Sequence, residues 1–184
     1  MITSLEWSAT GLGLLYLLLA IREKRSCWLA GGLASALFLF VFWRAGLAAQ
    51  AVLQIYYVGV AVHGWYYWGS SADTRPVRHL QTSGHVAVVT SCIALSAVTI
   101  YFRGDFSSMT IWLDSTTSWS GVIATWLVAR KYLSAWTYWI VIDLVTAALY
   151  LQNGLLATSG LYLVYAVLAG VAWRQWSKNL SSAQ

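Results

Sequence analysis

The sequence predicts an all-α membrane protein with seven transmembrane helices in a parallel 3+1+3 repeat. Two observations predict the class. Of the 184 residues, 59% are hydrophobic and only 9% are charged, whereas soluble domains carry about 25% charged residues. The chain also contains 12 tryptophans and 11 tyrosines, residues that are enriched where helices meet the lipid headgroups. A third observation, an internal repeat, predicts the arrangement.

Seven apolar runs are long enough to be helices that cross a bilayer, which takes about 20 mainly apolar residues. The fourth run is the most polar, and we expect it to pack against neighbouring helices more than against lipid. We place the helices at residues 5–21, 27–43, 47–68, 81–102, 111–129, 136–151 and 155–173.

The basic residues predict the orientation of these helices. Basic residues are concentrated in the segments that follow helices 1, 3, 5 and 7. The segments that follow helices 2, 4 and 6 carry only Arg44 and Arg103, and the charge of Arg103 is balanced by Asp105. Because cytoplasmic loops are rich in Lys and Arg, we expect the N-terminus outside and the C-terminus in the cytoplasm. The net charge of +5 then faces anionic lipid, and no nucleic-acid partner is expected. The basic residues that follow helices 1, 3, 5 and 7 are Arg22, Lys24, Arg25, Arg75, Arg78, Arg130, Lys131, Arg174 and Lys178.

An internal repeat appears when the chain is aligned on itself, without gaps, so that Arg22 falls on Arg130. We call this register the repeat alignment. Three helices reverse the side of the membrane, so one extra helix is needed to make the second copy parallel to the first. The predicted organisation is a first repeat at residues 1–69, a linker and helix 4 at 70–108, and a second repeat at 109–184. Further matched pairs are Trp28 with Trp136, Gly46 with Gly154, Trp65 with Trp173 and Trp68 with Trp176.

The sixth predicted helix carries the clearest candidate site. Asp143 lies in the middle of an apolar run, where a charged side chain costs about 2.5–3.5 kcal/mol on insertion scales. Trp139 precedes it by four residues and Trp136 precedes Trp139 by three, so all three share one helix face. Such a face suits a flat cationic ring. The alternatives are a structural carboxylate at Asp143 and an interfacial anchor at Trp136.

Polar residues of the third predicted helix form a second candidate set. Gln50, Gln54 and Tyr57 follow one another at helical spacing and suit hydroxyl or amide groups of a ligand. Hydrogen bonds between helices are the alternative. Tyr162 and Tyr165 occupy the positions equivalent to Gln54 and Tyr57 in the second repeat. If the repeats face each other, we expect these four side chains to line one cavity.

Asp114, near the outer end of the fifth predicted helix, is a further substrate-binding candidate, with helix capping as the alternative. The sequence contains no Ser-His-Asp order, no His-Glu-x-x-His motif and no Walker glycine loop. We therefore predict that the protein is not an enzyme and that it binds neither a metal nor a cofactor. The cysteines Cys27 and Cys92 lack metal-ligand spacing and are interpreted as small buried side chains.

Several ordered motifs are spread over almost the whole chain: Val52-Leu-Gln-Ile-Tyr-Tyr, Gly64-Trp-Tyr-Tyr-Trp68, Trp112-Leu-Asp-Ser, Ala129-Arg-Lys-Tyr and Trp136-Thr-Tyr-Trp139-Ile-Val-Ile-Asp143. With these motifs the sequence resembles the PnuC family of vitamin transporters.

The resemblance implies a carrier of nicotinamide riboside in a bacterial inner membrane, with a SWEET-like fold and a homotrimeric assembly. It implies facilitated diffusion and trapping of the substrate by a cytoplasmic kinase. It also implies binding roles for Trp136, Trp139, Gln54 and Asp143. Many carriers of nicotinamide riboside have Asn where this chain has Asp143, and relatives of the same fold carry thiamine or riboflavin. The choice among these substrates therefore stays open.

Overall fold

The computed structural model describes residues 2–69, 76–104, 106–107 and 109–181. Arg75 and Asp105, which entered the orientation argument, lie outside these ranges. Within them the chain forms seven helices, as predicted. They are α1 (Ile2–Ile21), α2 (Cys27–Arg44), α3 (Ala48–Tyr67), α4 (Thr82–Arg103), α5 (Met109–Ala129), α6 (Ser134–Gln152) and α7 (Leu156–Ser181).

Helix boundaries agree closely with the predicted ones, except that α7 continues well beyond position 173, to Ser181. The extension is amphipathic, because Arg174 and Lys178 are exposed while Trp176 is fully buried. A sequence search for apolar runs misses such a segment, because charged residues interrupt the apolar run and a single buried aromatic side chain packs it against the protein.

Among the described helices, α2, α4, α6 and α7 are each long and apolar enough to cross a membrane, and α1 contributes a shorter apolar stretch, Trp7–Ile21. The polar side chains that lower the hydropathy of α3 include Gln50, Gln54 and His63. In α5 the same effect comes from a run of Ser and Thr at residues 115–118.

The chain divides into two compact units, Met1–Pro76 (unit 1) and Val77–Gln184 (unit 2). In unit 1, α2 packs against both α1 and α3. In unit 2, α6 packs against both α5 and α7, and α4 packs against α5. In both α1–α3 and α5–α7, the middle helix therefore packs against the other two.

Backbone features of unit 1 recur in unit 2 at the positions that the repeat alignment pairs. Glu23 and Lys131 both adopt positive φ, at 53° and 56°, and Gly46 and Gly154 adopt 74° and 75°. The glycines follow the ends of α2 and α6, where a left-handed residue commonly terminates a helix. Equivalent backbone hydrogen bonds are Lys24 N to Leu19 O (3.0 Å) and Tyr132 N to Leu127 O (2.9 Å), then Leu47 N to Phe42 O and Leu155 N to Tyr150 O (both 2.9 Å).

Helix α4 is partly packed against the neighbouring helices of unit 2, and the expectation that it packs against helices more than against lipid stays a prediction. It contacts α5, yet most of its side chains are exposed, including Val86, Val89 and Ile93. Two of its polar side chains bond to neighbouring helices: His85 Nδ1 lies 2.7 Å from the Tyr138 hydroxyl of α6, and Thr99 Oγ1 accepts from Trp119 Nε1 of α5 (2.8 Å). Other hydroxyl groups bond within the helix, since Thr90 Oγ1 donates to Val86 O (2.8 Å) and Ser96 Oγ donates to Cys92 O (2.7 Å). Such internal bonds allow hydroxyl side chains to sit in an apolar environment without a partner helix.

The segment before α4 is tied to the loop between α5 and α6. Arg78 N donates to Lys131 O (2.9 Å), and Leu133 N donates to Arg78 O (3.0 Å). The Arg78 guanidinium lies over the ring of Tyr132, 4.8 Å from its centroid. Basic residues of two predicted cytoplasmic loops, Arg78 and Arg130 among them, therefore lie at one end of unit 2.

Candidate substrate-binding site

Asp143 lies in the middle of α6, and only 3% of it is exposed. It is the only buried carboxylate among the described side chains. Tyr162 and Tyr165 of α7 are close enough to interact with it electrostatically. Because α6 and α7 pack along each other, three residues that the sequence singled out on two helices come together. A buried carboxylate between phenol groups suits a cation or a hydrogen-bond donor.

A row of tyrosine rings connects this carboxylate with the end of unit 2 where α6 ends and α7 begins. Tyr150 stacks on Tyr162, with ring centroids 5.4 Å apart and planes 25° apart. Tyr162 in turn meets Tyr165 edge to face at 5.8 Å. Ser159 Oγ donates to Ala147 O (2.8 Å), which fixes α7 against α6 beside the row. We call Tyr150, Tyr162 and Tyr165 the tyrosine row.

Trp139 lies one helical turn before Asp143 and is half-buried. Its indole approaches α5 at Gly121, where an added Cβ would lie 3.6 Å from the ring. That distance is an ordinary van der Waals contact, so one edge of the Trp139 ring lies against α5. Trp139 and Asp143 therefore lie on adjacent turns of α6, as the spacing predicts.

Trp136 has different surroundings. It is 2% exposed and packs edge to face on Trp176 of α7, with ring centroids 5.3 Å apart. Its Nε1 has no hydrogen-bond partner within the described part of the chain. The observed contact of this ring is with the extension of α7. Stacking of Trp136 on a ligand and its alternative, an interfacial anchor, both stay predictions.

The unit 1 candidates lie on α3. Gln54 is buried, Gln50 is exposed and Tyr57 is half-buried. Tyr57 packs on Tyr56 with ring centroids 5.3 Å apart and interacts electrostatically with Tyr16 of α1. Polar groups of α3 and a phenol of α1 therefore lie together in unit 1.

Tyr16 is the residue that the sequence interpretation missed. Its ring covers Gly31 of α2, where an added Cβ would lie 2.8 Å from Cδ2. In the repeat alignment, Gly31 corresponds to Trp139 and Tyr16 to Ala124. The large ring is thus carried by α1 in unit 1 and by α6 in unit 2. A glycine at the position equivalent to Trp139 was the available signal.

A cavity of about 300 Å³ opens at the end of unit 2 that is opposite to Arg130. Arg103, at the end of α4, forms an ion pair with Asp114 of α5 across it, with Nη1 and Oδ2 3.3 Å apart. The remaining lining consists of Ile111, Leu149, Tyr150, Asn153 and Leu155. Asp114 is therefore exposed in a cavity and is separate from the Asp143 cluster.

The profile of a transporter family, described as nicotinamide mononucleotide transporter, matches residues 3–178 of this chain. The chain belongs to this family. As a member of the nicotinamide mononucleotide transporter family, it is a multi-pass membrane transporter, which agrees with its seven described helices and four apolar spans.

Individual relatives of this family member cover nearly its whole length. It is 23% identical to the nicotinamide riboside transporter PnuC of Escherichia coli, over 94% of this chain and 84% of the relative. It is 28% identical to the riboflavin/roseoflavin transporter RibM of Streptomyces davaonensis, over 90% of this chain and 80% of the relative. The crystal structure of the vitamin B3 transporter PnuC matches with a TM-score of 0.73 and 22% identity, over 99% of this chain and 84% of that one. The fold of the transporter is therefore that of PnuC.

Proposed function

We propose that this transporter carries nicotinamide riboside into a bacterial cell by facilitated diffusion and alternating access, with phosphorylation by a cytoplasmic kinase trapping the substrate. The observation that supports it best is the buried Asp143 beside Tyr162 and Tyr165. Nicotinamide riboside combines a flat pyridinium cation with a carboxamide and ribose hydroxyls. A buried carboxylate is compensated by a positive charge on the ligand, which offsets its lost hydration.

In this proposal each candidate residue of unit 2 has a role that follows from its surroundings. Trp139 stacks on the pyridinium ring and Asp143 pairs with its charge. Tyr162 and Tyr165 offer phenol groups to the polar part of the substrate. Trp136, buried against Trp176, contributes to binding by holding the start of α6 in place.

Unit 1 supplies a further set of polar groups. Gln54, Gln50 and Tyr57 are the candidates for hydrogen bonds to ribose hydroxyls and the carboxamide, for which amide and phenol groups are suited. Tyr16 joins this set through its interaction with Tyr57. Gln54 carries the strongest case, because it is a buried amide on α3 and a buried amide requires hydrogen-bond partners.

Uptake into proteoliposomes tests the proposal. We expect saturable uptake and counterflow of nicotinamide riboside, lost in Asp143→Ala and Trp139→Ala. Trp43→Ala is the matched control, because Trp43 is 70% exposed at the end of α2 and its loss leaves the site intact. Absence of saturable uptake by the unmodified protein would refute the substrate, and equal loss in the control would refute the residue assignment.

Riboflavin is the second candidate substrate, because the riboflavin/roseoflavin transporter RibM is 28% identical to this chain. Riboflavin is a neutral isoalloxazine, so a buried Asp143 would lose hydration without gaining a charged partner. Thiamine, a cation, remains a third candidate of the same family resemblance. Competition of unlabelled riboflavin and thiamine against labelled nicotinamide riboside separates the three.

The proposal includes the placement of the protein in the inner membrane with its N-terminus outside, and assembly as a homotrimer. The clustering of Arg78 with Arg130 at one end of unit 2 supports the orientation, because cytoplasmic ends are rich in basic residues. Cross-linking of the purified protein in lipid tests the trimer. A largest cross-linked product of only one or two subunits would contradict it.

A further inference from the structure

The cavity at the end of unit 2 is separate from the Asp143 cluster and has the chemistry of a binding site of its own. It has a volume of about 300 Å³, at the lower end of the roughly 300–1,000 Å³ common for small-molecule sites. It contains a carboxylate, an aromatic ring and an amide, from Asp114, Tyr150 and Asn153.

The ion pair in this cavity is poorly suited to stabilising the fold. Arg103 and Asp114 make one contact of 3.3 Å, and their side chains are 51% and 58% exposed. Exposed pairs of this kind contribute little to stability because water competes for both charges. A ligand cation can therefore replace Arg103 beside Asp114 at little cost.

The remaining lining suits a flat cation with hydroxyl groups. Asn153 Nδ2 donates to Leu149 O (2.7 Å), which leaves its amide oxygen to accept from a ligand hydroxyl. Tyr150 offers a ring face, and the same ring stacks on Tyr162, whose neighbour is Asp143. The tyrosine row thus leads from the cavity with Asp114 to the cluster with Asp143.

We propose that this cavity is a first binding station for an organic cation, in which the ligand exchanges with Arg103 for Asp114 before it moves along the tyrosine row to Asp143. The ligand class, a flat cation that bears hydroxyl groups, rests on the proposed function. Arg103 acts as an internal competitor: it keeps the carboxylate occupied until a cation arrives, which disfavours neutral solutes and anions.

Equilibrium binding to purified protein tests the station separately from transport. The probe is the N-methylnicotinamide cation, followed by tryptophan and tyrosine fluorescence in an Asp143→Ala background, where the inner cluster lacks its charge. We expect the probe still to bind. Arg103→Gln should tighten binding about two- to fivefold, because exposed pairs are worth up to about 1 kcal/mol. Asp114→Asn should weaken it about tenfold, because a charged partner is lost.

The control is Arg44→Gln, which removes an exposed arginine from the end of α2 in unit 1 and should leave binding unchanged. Absence of probe binding in Asp143→Ala would overturn the station. So would weaker binding in Arg103→Gln, which would show that the pair holds the cavity in shape. Failure of nicotinamide riboside uptake would refute the proposed function, while the binding result would still decide the station.

Discussion

Trp136 meets Trp176 edge to face, with ring centroids 5.3 Å apart and planes 83° apart. In unit 1, Trp28 and Trp68 meet at 5.4 Å and 89°. The two pairs occupy equivalent positions in the repeat alignment, so the repeat extends to side-chain packing. Each pair joins the start of the middle helix of three to the end of the helix that follows it. This contact explains why both tryptophans of the pair recur.

The first prediction separates the two tryptophans of α6. Trp136→Ala should lower the free energy of unfolding by about 3–5 kcal/mol, the usual cost of truncating a large buried aromatic. Trp139→Ala should cost less stability because Trp139 is only half-buried, while it should abolish saturable uptake. Thermal unfolding in detergent, measured beside uptake, compares the two. Trp136→Phe should recover most of the stability, and an equal loss of stability in both alanine variants would contradict the division of roles.

A second prediction concerns Gly64 on α3. An added Cβ there would fall on the indole of Trp28, so Gly64→Ala should destabilise the protein by about 1–3 kcal/mol through overpacking. Gly59→Ala is the matched control on the same helix, since nothing lies within 4 Å of its added Cβ. The control should gain up to about 1 kcal/mol, because alanine favours a helix over glycine. Thermal unfolding measures both.

The equivalent of Gly64 in unit 2 is Ala172, which is fully buried. A Gly64→Ala variant with unchanged stability would therefore mean that Trp28 can shift to make the same room in unit 1. The destabilisation should be relieved by Trp28→Phe in the same chain, because the smaller ring frees the space. Absence of that relief would locate the clash elsewhere.

Hydropathy and the repeat predict the number of helices and nearly all their boundaries, because a bilayer imposes both length and apolar composition on a spanning helix. They fail at the end of α7, where Trp176 holds the helix by packing on Trp136. They do not distinguish the polar groups of α4 that bond within the helix, such as Thr90 and Ser96, from those that bond to α6 and α5, such as His85 and Thr99.

The site is predictable to the extent that it lies on one helix or on repeat-equivalent positions. Asp143, Tyr162 and Tyr165 follow from helical spacing and the repeat alignment, and they lie together in unit 2. Tyr16 was missed because its partner position, Gly31, lies on another helix. The pairing of Arg103 with Asp114 was also missed, since it depends on how α4 packs against α5, which the sequence does not specify.

A third prediction tests the orientation. Cys27 and Cys92 are buried, so both can be replaced by Ala to give a background that does not react with maleimides. In intact cells, a membrane-impermeant maleimide should label Arg44→Cys, whereas Lys178→Cys should react only after permeabilisation. Both positions are exposed at helix ends, so accessibility within the protein is matched. The reverse pattern would place the basic loops outside, against the positive-inside rule.

The last prediction concerns the charge of Asp143 itself. Asp143→Asn keeps the shape and one acceptor oxygen but removes the negative charge. Hydrogen bonds to charged groups contribute about 1.5–3 kcal/mol, whereas neutral ones contribute about 0.5–1.5 kcal/mol. The half-saturation concentration for the nicotinamide riboside cation should therefore rise about tenfold. For the reduced, uncharged dihydro form of the same compound, the rise should be about threefold or less, because no attraction between a ligand cation and the carboxylate is lost.

Competition uptake with the two forms of the riboside measures this difference in one preparation. Tyr165→Phe is the matched control, because it removes a polar group beside Asp143 without changing any charge. It should affect both forms equally. If Asp143→Asn also weakens both forms equally, the carboxylate serves as a hydrogen-bond acceptor rather than as the partner of the cation. The selection for positive charge would then have to arise before the substrate reaches α6, at Asp114.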